Sequence, residues 1–103
     1  MTKTDALKKF ARKHGADLVG VASVDRFREA PEGHRPENFV PEAKCVIAMA
    51  KRLPVAVCKT IPAQFYYKAL YGDLNAALRS LAYEVTLYLE DQGYEAFPAD
   101  PNV

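Results

Sequence analysis

Two short apolar runs constrain this chain most: "DLVGVASV", Asp17 to Val24, and "CVIAMA", Cys45 to Ala50. Leu18, Val19, Val21 and Val24 are β-formers without clean polar alternation, the pattern of a strand covered on both faces. The second run is apolar on both faces in the same way. Gly20 inside the first marks a close approach by another backbone or a ligand. Cys45, opening the second, reads as a small core hydrophobe in a buried strand.

Helical periodicity flanks these runs. Leu7, Phe10, Ala11 and His14 form one apolar stripe and predict a helix from about Asp5 to His14. Thr2 and Asp5 are spaced as a capping box, with Thr4 as a competing cap, and Gly15 stands where a left-handed terminator is wanted. "VDRF" reads as one helical turn capped by Ser23 or Asp25. Pro31 and Gly33 break it, and Pro36 starts a second turn, "PENF". "VAVCKTIP" is irregular or a short edge strand. A long helical pattern begins near Pro62, with Leu70, Leu74, Leu78, Leu81, Val85 and Leu89 as its stripe. Gly72 divides it and Gly93 ends it. A last strand, "YEAFP", follows. These elements predict a small layered α/β domain over residues 1–103, in the order α-β-β-α-β, its short sheet packed by a long C-terminal helix. If the second and third strands are parallel neighbours, their crossover is right-handed.

The 103 residues suit one small domain, and at 50% hydrophobic they supply a core. A net charge of +1 demands neither nucleic acid nor an anionic membrane as partner. No apolar run approaches a bilayer span, and the N-terminus, "MTKTDALKKF", is charged and periodic rather than a signal peptide. A cytoplasmic protein is expected. Two cysteines make no disulfide framework there, and two distant histidines give no metal-ligand spacing, so no metal site is expected. No nucleophile–base set, P-loop or dinucleotide fingerprint is present. Cys58 sits beside Lys59, whose charge favours the thiolate; a semi-buried loop cysteine is the plainer reading.

Four residues are candidates for binding. His34 and Arg35 lie in the proline-bracketed stretch "PEGHRPENFVPEAKCVIAMA". Arginine presents a donor fork to phosphate or carboxylate, and histidine ligates, shuttles protons or bonds a turn. Local physics favours structural use of both. Tyr67 and Tyr71, four apart, share a helix face and are able to stack on a planar cofactor, or to pack with wet hydroxyl tips.

Together with that stretch, "GADLVGVASVDRF" and "YGDLNAALRSLAYEVTLYLEDQGYEAFP" resemble the N-terminal part of epoxyqueuosine-reductase-like iron–sulfur proteins, a family similar to corrinoid-dependent reductive dehalogenases. The resemblance implies redox chemistry. Full-length members pair such an α/β module with a ferredoxin-like module carrying two four-iron clusters. The N-terminal module helps hold a cobalamin, and the best-known reaction removes the epoxide oxygen of epoxyqueuosine in tRNA. A bound cobalamin or flavin in contact with His34, Arg35, Tyr67 and Tyr71 is therefore expected by analogy, as is a tRNA link. Iron–sulfur clusters are not expected in this chain, because each needs about four cysteine thiolates and only Cys45 and Cys58 exist. No catalytic residue carries over. The expectation is a binding module that works with a separate electron-transfer module, or a non-catalytic α/β domain that dimerises or docks on a partner. A homodimer is expected, through a sheet edge or the Leu70-to-Leu89 helix.

Overall fold

A computed structural model of the chain describes residues 2–59 and 67–99. Helix α1 spans Lys3–Lys13. The Thr2 hydroxyl accepts from the Asp5 amide at 3.1 Å and the Asp5 carboxylate accepts from the Thr2 amide at 3.5 Å, closing the capping box. Gly15, at φ 113°, ends the helix in a backbone region that L side chains avoid.

The chain then enters strand β1, Leu18–Ser23, which pairs antiparallel with β2, Cys45–Ala50. The register places Leu18 opposite Ala50, Gly20 opposite Ala48 and Ser23 opposite Cys45. Val24 donates to the Lys44 carbonyl at 3.1 Å, extending the ladder past Ser23. Between the strands lie a 3₁₀ turn, Val24–Phe27, capped by the Ser23 hydroxyl, and a one-turn helix α2, Pro36–Phe39. After β2 comes another single turn, α3, Val55–Cys58, in place of an edge strand. The long helical stretch has a π-helical segment, Lys68–Leu74, containing Gly72, and a regular α4, Asn75–Asp91. Gly72 therefore sits in a widened turn of one continuous helix and does not split it. Gly93, at φ 91°, terminates it. The expected start near Pro62 lies outside the described residues.

Helices α1 and α4 lie on the same face of the two-stranded sheet. Leu7, Ala11, Ala16, Leu81 and Val85 are buried between the layers, with Phe10, Val19, Ile47, Met49, Tyr88 and Leu89 packed around them. The rings of Phe10 and Tyr88 stack at 4.3 Å and join the two helices. Lys51 locks the layers at one end, its ammonium donating to the Gly15 carbonyl at 2.7 Å, while the Asp17 carboxylate accepts from the Arg52 amide at 2.8 Å.

The small α/β domain and its long C-terminal helix match the class predicted from sequence. Three details are corrected. The strands are not covered on both faces: Leu18, Gly20, Ala48 and Ala50 are exposed on the side away from the helices. Cys45 is exposed rather than buried, because it stands at the open end of the sheet opposite Ser23. The stretch "YEAFP" forms no strand, and the described sheet has two strands. Its residues are engaged elsewhere: the Tyr94 hydroxyl accepts from the Lys3 ammonium at 2.9 Å and the Phe97 ring stacks on Phe39 at 5.1 Å.

Candidate functional site

The loop that carries His34 and Arg35 is wired to itself. The Arg35 guanidinium donates through Nε to the Ala30 carbonyl at 2.9 Å, and its Nη1 stands 3.5 Å from Glu32 Oε2. Asn38 supplies the rest. Its Oδ1 accepts from the amides of Gly33 and Arg35, each at 3.0 Å, and its Nδ2 donates to Glu32 at 3.2 Å. Gly33, at φ 88°, allows the reversal that brings these amides onto one oxygen. Asn38 is thus the loop's organiser, and sequence reading missed it. The signal was present: an asparagine three residues into a turn opened by Pro36 is placed to reach back to the amides before it.

His34 differs from its neighbour. Its amide bonds the Pro31 carbonyl at 3.0 Å, but its imidazole is exposed and makes no hydrogen bond among the described residues. Of the pair, Arg35 bonds its own loop through Nε and Nη1, and His34 presents its imidazole to solvent.

Tyr67 and Tyr71 stand on the π-helical stretch with their rings 6.0 Å apart and nearly parallel, at 15°. Both are exposed. Four-residue spacing brings them together as the helical pattern predicts. Tyr66 lies outside the described residues, as does the Cys58 side chain.

A shallow depression of about 220 Å³ lies elsewhere, lined by Arg79, Ala82, Tyr83, Pro98 and Ala99. Small-molecule sites usually run from about 300 to 1,000 Å³, so a corrin or a flavin is too large for it. None of the four predicted binding residues lines it. Among the described residues no group of three or more histidine, cysteine or acidic side chains is arranged to hold a metal ion, and no helix is long and apolar enough to cross a membrane.

Among the described residues, one group is electrostatically perturbed. The Lys3 ammonium is held above its ordinary range, first by its hydrogen bond to the Tyr94 hydroxyl and second by the charge interaction with that group. It also lies 5.5 Å from the centre of the Tyr94 ring.

Among the described residues, the outer face of the sheet is an apolar surface without a covering layer. Leu18, Gly20 and Ala22 face away from the helices together with Val46, Ala48 and Ala50, and no polar side chain interrupts them. Comparison with protein-family models, curated proteins and solved structures finds no match to this chain.

Proposed function

We propose that this chain is the N-terminal binding module of an oxidoreductase similar to the epoxyqueuosine-reductase-like iron–sulfur proteins, and that it works against a second, cluster-bearing module. The observation that carries the reading is the bare apolar sheet face, with Leu18 70% exposed at its edge. An antiparallel sheet with one open face ordinarily carries polar side chains there, so an open face this apolar calls for a covering layer. The side-by-side Tyr67 and Tyr71 rings and the exposed His34 imidazole support a planar cofactor, cobalamin or flavin, held at the surface and completed by the second module. The same reading puts the protein in the cytoplasm, supported by cysteines too few for a disulfide framework.

Titration with hydroxocobalamin and, separately, with flavin mononucleotide tests the cofactor part. A shifted visible spectrum that Tyr67→Ala combined with Tyr71→Ala removes is the expected result. Unchanged spectra and no heat by calorimetry for both probes would sink the idea of a cofactor site in this chain.

A second reading is a small non-catalytic domain that dimerises or docks on a partner. It is favoured by the opposite charges carried by the two helices of the outer layer.

A further inference from the structure

Helix α1 carries Lys3, Lys8, Lys9, Arg12 and Lys13 against a single acid, Asp5. From Glu84 to Glu95 the chain carries Glu84, Glu90, Asp91 and Glu95 and no lysine or arginine. The two ion pairs described, Arg28–Asp25 and Arg35–Glu32, use none of these residues. Lys9, Arg12, Lys13, Glu84, Glu90 and Asp91 are all exposed. On α4 the acids flank Tyr83 and Leu87, which are also exposed and four residues apart. From Tyr83 onward the outer stripe of α4 is therefore a short apolar ridge with an acidic border, Arg79 standing one turn before it.

The acids are placed against local preference. Glu90 and Asp91 close α4, where the helix dipole is negative and cations are favoured, and its last turn holds no basic residue. Cations brought from outside would offset that cost. The cations of α1 have the matching form, since lysine and arginine cover apolar surface with their stems while their charged heads reach past it.

We propose that the outer face of the α1–α4 layer is the contact surface of a homodimer, each copy laying its α1 across the α4 of the other. The inference deepens the second reading above and leaves the reductase reading untouched. The position of the helices makes the pairing closed. Lys3 meets Tyr94 at 2.9 Å and Phe10 stacks on Tyr88 at 4.3 Å, so α1 and α4 run side by side in opposite directions. Lys9, Arg12 and Lys13 then stand level with Glu84 and Leu87. A two-fold axis parallel to the helices keeps every residue at its level and exchanges left for right. It sets α1 of one copy over α4 of the other, twice, as a symmetric interface requires. Two such helix crossings are of the size of an ordinary dimer interface, roughly 1,600 Å² in total.

The sheet edges offer a poorer route. Asp17 and Asp25 flank β1, while Lys44, Lys51 and Arg52 flank β2. Asp25 is already paired with Arg28, so the acids of β1 do not decide its edge, but two-fold pairing of β2 with β2 brings Lys44 of one copy toward Lys51 and Arg52 of the other.

The test is a charge exchange. One variant carries Lys9→Glu and Arg12→Glu; the other carries Glu84→Lys and Glu90→Lys, and the latter gains favourable charge at the end of α4 and is expected to fold at least as well as the parent. Light scattering after size exclusion, at about 100 µM protein, reads the mass. At low salt the parent chain is expected to be a dimer, and at about 1 M salt, where the screening length falls to about 3 Å, a monomer. Each variant alone is expected to be a monomer, and an equimolar mixture to recover the dimer, because only the mixed pair is complementary at both crossings. A parent chain that stays monomeric at low salt overturns the proposal, and with it self-association. A dimer that survives salt and both reversals also overturns this contact, while leaving the docking reading standing through another surface. If the Lys9→Glu, Arg12→Glu chain loses its helical circular dichroism, the Glu84→Lys, Glu90→Lys chain alone decides: a dimer there rejects the contact.

Discussion

The two faces of the sheet are built from alternate residues of the same two strands, and they have opposite fates. Val19, Ile47 and Met49 turn inward and pack against Leu7, Leu81 and Val85, while Leu18, Gly20, Ala48 and Ala50 turn outward and meet no layer. Hydrophobicity does not separate them, because both faces are apolar. Size does. The covered face holds the larger side chains, apart from Leu18 and Val46, and the rest of the open face is glycine and alanine. Small residues leave a flat, shallow surface on which another layer can approach closely.

Truncation on each side gives the largest contrast. Leu81→Ala removes a side chain that is 3% exposed and opens a cavity between the layers, so a loss of about 2–5 kcal/mol is expected. Leu18→Ala, at a side chain 70% exposed, is expected to change stability by less than about 0.5 kcal/mol. Urea denaturation of both variants checks the pair. Comparable losses would mean that the outer face is covered in solution by this chain or by a copy of it.

The sequence shows the strands and helices more clearly than it shows which strand face is buried. The capping box at Thr2 and Asp5, the glycine stops at Gly15 and Gly93 and the Leu81–Val85 stripe are local signals, each acting within one or two turns. Coverage of a strand face depends on layers that the strand does not encode, so an unbroken apolar run says only that cover is available to it. Cys45 was misplaced for that reason: it belongs to a buried type of run but stands at its open end. The binding residues divide the same way. The tyrosine pair follows directly from four-residue spacing, whereas the role of Arg35 depended on where Ala30 and Asn38 fold back, which spacing does not show.

A side chain added at Gly20 sharpens the contrast from the open side. A β-carbon built there meets nothing within 4 Å, and the residue does not have a positive φ. Gly20→Val gains β-propensity and loses unfolded-state freedom, so the folded chain is expected to be more stable by about 1 kcal/mol. If the face receives a second layer, the same change obstructs it. Rising thermal stability with the isolated chain is the expected outcome; falling stability would show that the face is already occupied.

Held and open groups also alternate in the loop between the strands, at Arg35 and His34. Removing the guanidinium by Arg35→Ala leaves the Ala30 carbonyl without that donor and is expected to cost about 1 kcal/mol, mostly from the hydrogen bond, since the exposed ion pair to Glu32 adds little. His34→Ala is expected to leave the melting temperature within error. If His34→Ala instead lowers it while Arg35→Ala does not, the assignment of the two roles is reversed.

The smallest effect concerns the tail that was expected to extend the sheet and goes to the helix layer instead. Its first anchor is the Lys3 ammonium donating to Tyr94, a fully exposed contact that raises the Lys3 pKa above the ordinary 10.5. The sign follows from linkage. A lysine whose pKa is higher in the folded chain stabilises the fold while both states are protonated, and that contribution is lost as pH rises through the raised folded pKa. The anchor is therefore intact at neutral pH and fails only in strong alkali. Following the lysine side-chain resonances by NMR, Lys3 is expected to titrate at higher pH in the parent than in Tyr94→Phe, which removes the accepting hydroxyl but keeps the ring. The same variant is expected to loosen the amides of Glu95 to Phe97 toward hydrogen exchange at neutral pH while the strand amides stay protected. Identical Lys3 titration in the two chains would mean that Tyr94 does not hold the tail, and would leave the Phe97–Phe39 stack as what keeps it away from the sheet.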